Sequence, residues 1–258
     1  MREKIFAANW KMHKTVAETE AFFQEFVNYP GVGCGHGVVV FPPFTALAAV
    51  RGLAGAVPIS WGAQNMYSKD SGAFTGEISP LMLKELGCAY VLIGHSERRE
   101  VFRETDDEVR EKVKAAHKHA IRPMVCVGET LEERKGGRAS DKVVRQVSAA
   151  LQGVPAEQVA RMVFAYEPIW AIGTGLNASS SDAQEMCGLV RKQLAQLYSA
   201  EVAGCIPVLY GGSVKPENIA EYMLQSDIDG ALIGGASLQP ASFLSIIKNA
   251  LGSRFSAS

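Results

Sequence analysis

Residues 162–168 read Met-Val-Phe-Ala-Tyr-Glu-Pro, five apolar residues without a polar break, then a carboxylate and a proline. A strand with one face in water alternates apolar and polar side chains. A strand of a parallel sheet, covered on both faces, runs continuously apolar instead. Most of the other short runs share this habit: Arg122–Val127 upstream, Pro207–Tyr210 and Gly230–Ile233 downstream, and Lys4–Asn9, Gly37–Phe41, Ile59–Gly62 and Tyr90–Ile93 towards the N-terminus. With Met162–Tyr166 they make eight candidate strands.

Longer amphipathic stretches separate them, and several begin with recognisable caps. Thr15 precedes Val16–Val27 with Glu18 three residues on, a capping box. Thr105 precedes Asp106–His119, whose acidic first turn and terminal Lys118 and His119 suit the helix dipole. Ser181-Asp182 opens a stretch that runs to Tyr198, and Pro240 suits the first turn of Ala241–Leu251. Eight strand–helix units of about 30 residues each use up a chain of 258 residues. The expected fold is therefore α/β, a closed (β/α)8 barrel forming one domain over residues 1–252, with 253–258 a short C-terminal tail. An open doubly wound sheet fits the same alternation, but eight regular units favour closure. Gly31–Gly37 is glycine-rich yet leads into a strand, so it reads as a turn rather than a phosphate loop.

A formal charge of −1 gives neither a basic nucleic-acid surface nor a polybasic membrane patch, so any anionic ligand must be held by local features. The cysteines Cys34, Cys88, Cys126, Cys187 and Cys205 are odd in number and widely spaced, which fits reduced thiols. No apolar run approaches the roughly 18 residues of a membrane span, and the N-terminal run is too short for a signal peptide. A cytoplasmic protein is expected. His117-x-His119 is spaced by two on a helix, so the rings diverge and no metal pair is expected.

In a β/α barrel the site forms where the strands end. Asn9, Trp10 and Lys11 stand after the first strand, His95, Ser96 and Glu97 after the fourth, and Glu167 and Pro168 after the sixth. Gly211-Gly212-Ser213 and Gly234-Gly235 close the seventh and eighth. A carboxylate, an imidazole, an ammonium and two glycine clusters thus converge on one mouth. A desolvated carboxylate such as Glu167 suits a general base that moves a proton between adjacent carbons. His95, at the start of a short helix, suits a neutral donor to the carbonyl oxygen, and Lys11 adds fixed positive charge with Asn9 as a neutral donor. Glu97 either steers Lys11 or assists proton transfer. Pro168 stiffens one hinge of a segment whose apolar centre, Ile169-Trp170-Ala171-Ile172, excludes water, while Gly173-Thr174-Gly175 gives torsional freedom at the other end. Main-chain amides of Gly173, Ser213, Gly234 and Gly235 are the expected phosphate cradle. Cys126, between Val125 and Val127, is expected to pack rather than react.

These strings also carry a resemblance. Asn9-Trp10-Lys11-Met12, Gly94-His95-Ser96-Glu97-Arg98-Arg99, Ala165 to Gly175 and Tyr210-Gly211-Gly212-Ser213-Val214 look like triosephosphate isomerase signatures. So do Gln64-Asn65, Gly72 to Glu77 and Gly234-Gly235-Ala236-Ser237, in order from residue 5 to about residue 250. The resemblance implies a glycolytic and gluconeogenic aldose–ketose isomerase. It would interconvert dihydroxyacetone phosphate and glyceraldehyde 3-phosphate through an enediolate, without cofactor or metal. It implies the carboxylate–neutral histidine pairing for which this family is a standing example, and a mobile lid over Pro168–Gly175. It further implies a homodimer in which the Gln64–Glu77 loop enters the neighbouring subunit and Thr75 reaches the other active site. His13 and Arg103 depart from the usual residues at those positions, asparagine and glycine. An aldolase reading would need a Schiff-base lysine, for which Lys11 alone is placed, and would leave Glu167 unexplained. A barrel kept only as a scaffold would not be expected to retain Glu167, His95 and Lys11 together.

Overall fold

In the computed structural model, which describes residues 2–29, 37–53, 59–172 and 177–252, eight parallel strands close on themselves in sequence order. They are β1 (Ile5–Asn9), β2 (Gly37–Phe41), β3 (Ser60–Ala63), β4 (Tyr90–Ile93), β5 (Arg122–Val127), β6 (Val163–Tyr166), β7 (Val208–Tyr210) and β8 (Gly230–Ile233). Each pairs with the next, and β8 returns to β1 with Ile5 against Gly230 and Ala8 against Ile233. The expected bounds hold to within one residue at each end. The turn expected over Gly31–Gly37 overlaps β2 at Gly37; its remainder, the lid end Gly173-Thr174-Gly175 and the tail 253–258 lie outside the described residues.

The helical starts are where local chemistry puts them. Thr15 and Glu18 satisfy each other's backbone across the first turn of Val16–Phe26, as do Thr105 and Glu108 at Asp106–Lys118. One start needs correction: the long helix is Ser180–Leu197, capped by Ser179, with Asp182 as the reciprocal partner rather than the opening residue. A capping box needs three residues between cap and partner, and Ser179 with Asp182 meets that spacing.

Both faces of every strand are buried, which explains the unbroken apolar runs. Ile5, Ala7, Phe41, Leu92, Met124 and Ala165 belong to the cluster inside the barrel. Their neighbours Phe6, Ala8, Val40, Val91, Val125 and Phe164 pack outward in the larger helix-side core. Continuing the inward parity past the strand ends names the next layer: Asn9, Gly94, Gly128, Glu167, Gly211 and Gly234. Glycine there is required by space. A Cβ at Gly128 would lie 1.8 Å from the Glu167 carbonyl oxygen, and one at Gly211 only 3.0 Å from Glu167 Cγ. The barrel is therefore filled with side chains up to this layer and opens into a cavity where they stop.

Candidate active site

That cavity, about 260 Å³, is lined by Asn9, Lys11, His95 and Glu167 together with Ile172, Ser213, Gly234 and Gly235. Strands far apart in sequence thus deliver to one pocket the groups expected at their ends.

Glu167 and His95 face each other and are both buried. Glu167 Oε1 lies 2.9 Å from His95 Nε2, while Oε2 accepts the Ser96 backbone N–H at 2.8 Å. His95 is itself the N-cap of the short helix Ser96–Glu100, its Nδ1 accepting the Glu97 N–H at 3.2 Å. An amide hydrogen aimed at Nδ1 assigns the ring proton to Nε2, the tautomer that donates into the cavity. Burial works against ionisation of Glu167. The facing His95 and the Ser96 amide outweigh it and hold the carboxyl below its usual range. For His95, burial lowers proton affinity and the Glu167 carboxylate overcomes it, so the imidazole sits above its ordinary value while the two remain paired.

Lys11 is held in a left-handed backbone conformation with φ of 52°, uncommon for a side chain with a Cβ. Its N–H donates to Asn9 Oδ1 at 3.0 Å. Gln64 Nε2 donates to the Lys11 carbonyl at 2.8 Å and to that of Phe41 at 2.9 Å. Trp10 beside it is buried edge-on against Phe22, with ring centroids 4.8 Å apart. These contacts offset a conformational cost on the order of 1–2 kcal/mol. Lys11 Nζ lies 2.7 Å from Glu97 Oε1, and Glu97 Oε2 lies 3.7 Å from His95 Nδ1. Glu97 therefore bears chiefly on Lys11, from a half-exposed position.

Beyond Glu167 the chain enters a 3-10 turn, Ile169–Ala171, with Pro168 before it and Ile172 on the cavity lining. Trp170 Nε1 donates to Glu129 Oε1 at 2.8 Å, and Tyr166 Oη donates to the same oxygen at 3.0 Å. Glu129 is fully buried, and burial pushes its carboxyl up against the pull of these donors and Arg134. Sequence reasoning passed over Glu129, although a carboxylate two residues beyond β5 is the same signal that pointed to Glu167 beyond β6.

Thr75 is exposed and stands apart from this cavity. Cys126 is buried inside the barrel, as expected of a packing residue. His117 is buried and His119 pairs with Asp70 at 2.7 Å; among the described residues no cluster of His, Cys, Asp and Glu is arranged to hold a metal.

A sequence model described as triosephosphate isomerase matches residues 4–250. Among curated proteins, the triosephosphate isomerase of Chloroflexus aurantiacus is 53% identical over 247 residues, 96% of this chain and 99% of its own. That of Symbiobacterium thermophilum is 52% identical over 254 residues, covering 98% and 99%. That of Dictyoglomus thermophilum is 49% identical over 249 residues, covering 96% and 100%.

Proposed function

The chain belongs to the triosephosphate isomerase family, and on that footing we propose that Glu167 is its proton-shuttling base and His95 its electrophile. Its reaction is the interconversion of dihydroxyacetone phosphate and glyceraldehyde 3-phosphate, a step of glycolysis. The observation that supports the residue roles is the 2.9 Å contact between two buried groups at the mouth of the barrel.

Glu167 takes a proton from the carbon next to the carbonyl. The C–H electron pair becomes the enediolate double bond, and the carbonyl oxygen takes the negative charge. His95 Nε2 gives its proton to that oxygen and recovers one from the neighbouring hydroxyl. Glu167 returns the first proton to the adjacent carbon. The electrons stay within the substrate, so the reaction needs no redox cofactor. Lys11 and Asn9 stabilise the oxyanion, and the amides of Gly173, Ser213, Gly234 and Gly235 hold the phosphate. Glu97 steers Lys11.

The paired resting state has a consequence for the base. Substrate must part Glu167 from His95, and Glu167 then leaves the two donors that depress its proton affinity. It remains desolvated, so its basicity rises when a base is needed. The same separation removes the anion that favours imidazolium, leaving His95 with burial and the Glu97 amide, both of which favour the neutral ring. The apolar segment from Pro168 to Gly175 closes over the mouth and keeps water from the enediolate.

The test is isomerisation of glyceraldehyde 3-phosphate by purified protein, coupled to NADH oxidation through glycerol-3-phosphate dehydrogenase, beside Glu167→Ala. The expected outcome is brisk turnover in the parent and a loss of roughly 10²- to 10⁴-fold in the variant. A variant as active as the parent would remove Glu167 from the role of base.

We also propose a homodimer with exchange of the Gln64–Glu77 loop. Met12, Phe74, Val101 and Phe102 are exposed apolar side chains beside the site. A second cavity of about 220 Å³ between Lys11, Phe44, Gln64, Glu97 and Phe102 would receive the partner's Thr75. Sedimentation at twice the 27.7 kDa chain mass supports this, and a monomer that is fully active argues against it. No helix among the described residues is long and apolar enough to cross a membrane. The cytoplasm is the proposed location, in keeping with glycolytic chemistry and the free thiols Cys88, Cys126, Cys187 and Cys205; a secreted pool with oxidised thiols would contradict it.

A further inference from the structure

Arg134 lies outside the cavity, on the helix Leu131–Lys135 that follows β5. Its Nη1 donates to Glu129 Oε1 at 3.3 Å and its Nη2 to Asp182 Oδ1 at 2.6 Å. The guanidinium also stands over the Trp170 ring, 5.2 Å from its centroid. Glu129 in turn grips the turn that follows Glu167 twice, through Trp170 Nε1 and through its own carbonyl, which accepts the Ile169 N–H at 3.1 Å. Asp182 belongs to the capping box that starts Ser180–Leu197, the helix reached after that segment. The short helix bearing Arg134 is anchored by the Thr130–Glu133 box and by Lys142, 2.8 Å from Glu133.

We infer that Arg134 is a positioning residue: by bracing Glu129 and Asp182 together it fixes the Trp170 turn and hence the peptide from which Glu167 projects. The inference rests on Glu167 being the base. A cation is needed there because Glu129 Oε1 already serves two neutral donors. Glu129 Oε2 is buried with no hydrogen-bond partner among the described residues. The titratable and charged groups around this carboxyl are Tyr166 from β6, Arg134 from its own helix, and Asp182 and Cys187 from Ser180–Leu197. Arg134 is the cation among them. Without it, burial raises the Glu129 carboxyl further, and the carboxylic acid is a poorer acceptor for Trp170.

Arg134→Met keeps an apolar stem against Trp170 and removes the charge; Arg134→Lys restores a charge without the fork. Two readouts are followed from pH 5.5 to 8.5: kcat and KM for glyceraldehyde 3-phosphate, and the 19F signal of Trp170 in 5-fluorotryptophan-labelled protein. The latter is assigned with Trp170→Phe among the three tryptophans. In Arg134→Met the Trp170 signal should titrate with a midpoint above the parent's. Its kcat should fall about tenfold at the acid end and recover at the alkaline end, with KM changed less than about twofold, since a small misplacement of the base costs rate. Lysine should restore most of the loss. In a Glu129→Gln background, Arg134→Met should add no further pH dependence. A loss of the same factor at every pH, a Trp170 signal that does not titrate, or pH dependence that survives Glu129→Gln overturns the inference. Should Arg134→Met not fold, Asp182→Asn frees Nη2 alone and should shift the same readouts in the same direction by less; no shift there overturns it too. Failure of the base assignment is separate, because it shows as retained activity in Glu167→Ala whatever the Arg134 variants do.

Discussion

Replacing Gly212 by alanine puts a methyl group where the structure has no room for one. The new Cβ would stand 2.2 Å from Tyr210 Oη and 3.0 Å from Pro168 Cγ. Ordinary contact begins near 3.4 Å, so the clash with the hydroxyl is roughly 1.2 Å deep. Tyr210 has little freedom to yield: it is fully buried, with its ring stacked on Tyr222 at a centroid distance of 4.2 Å. The strain therefore passes to the main chain from Gly211 to Ser213, which lines the cavity. Overpacking of this kind costs about 1–3 kcal/mol of stability. A main-chain shift of ~1 Å in a phosphate cradle should lower kcat/KM on the order of 10²-fold. The assay compares glyceraldehyde 3-phosphate with D-glyceraldehyde, which lacks the phosphate, alongside thermal unfolding of the variant. Loss confined to the phosphorylated substrate is the expected result. Equal losses on both would mean that the methyl acts on Glu167 through Pro168. A variant with parent-like kinetics and Tm would refute the packing argument itself.

Two further outcomes follow from backbone and electrostatics. Ala120 has φ of 55° just past the end of Asp106–Lys118, and Arg103 has φ of 60° at a position where glycine is usual in the family resemblance. Ala120→Gly and Arg103→Gly should each stabilise by about 1 kcal/mol, raising Tm by roughly 2–4 °C in calorimetry; a lower Tm in both would contradict the strain. In Glu167→Gln the anion that lifts the His95 pKa is gone, while burial, which lowers it, remains. The sign is then reversed: His95 should titrate below its ordinary value of 6.5 when followed by NMR, and an unchanged or higher midpoint would show that Glu167 is not what holds it up.

Much of this molecule is written locally. An unbroken apolar run such as Tyr90–Ile93 is readable because a strand covered on both faces has no polar side, and the structure returns it with the same bounds. Thr15–Glu18 and Thr105–Glu108 are readable because a capping box is closed within four residues. Asn9, His95, Lys11 and Glu167 were legible as candidates because each follows a strand, and strand ends in a barrel share one mouth.

What closes the site is not local. Ser96 reaches the Glu167 carboxylate across 71 residues of sequence, and Gln64 reaches the Lys11 carbonyl across 53. Asp182 meets Arg134 across 48, and Trp170 meets Glu129 across 41. No periodicity or spacing encodes such pairs, since each depends on how far one strand is staggered against another and which way its side chains point. Barrel closure fixes both. The sequence by itself therefore determined which residues are able to act and on which elements they ride. The tertiary structure alone decided that Glu167 rests against His95 and the Ser96 amide, because a buried carboxylate takes whatever donors the fold brings within 3 Å.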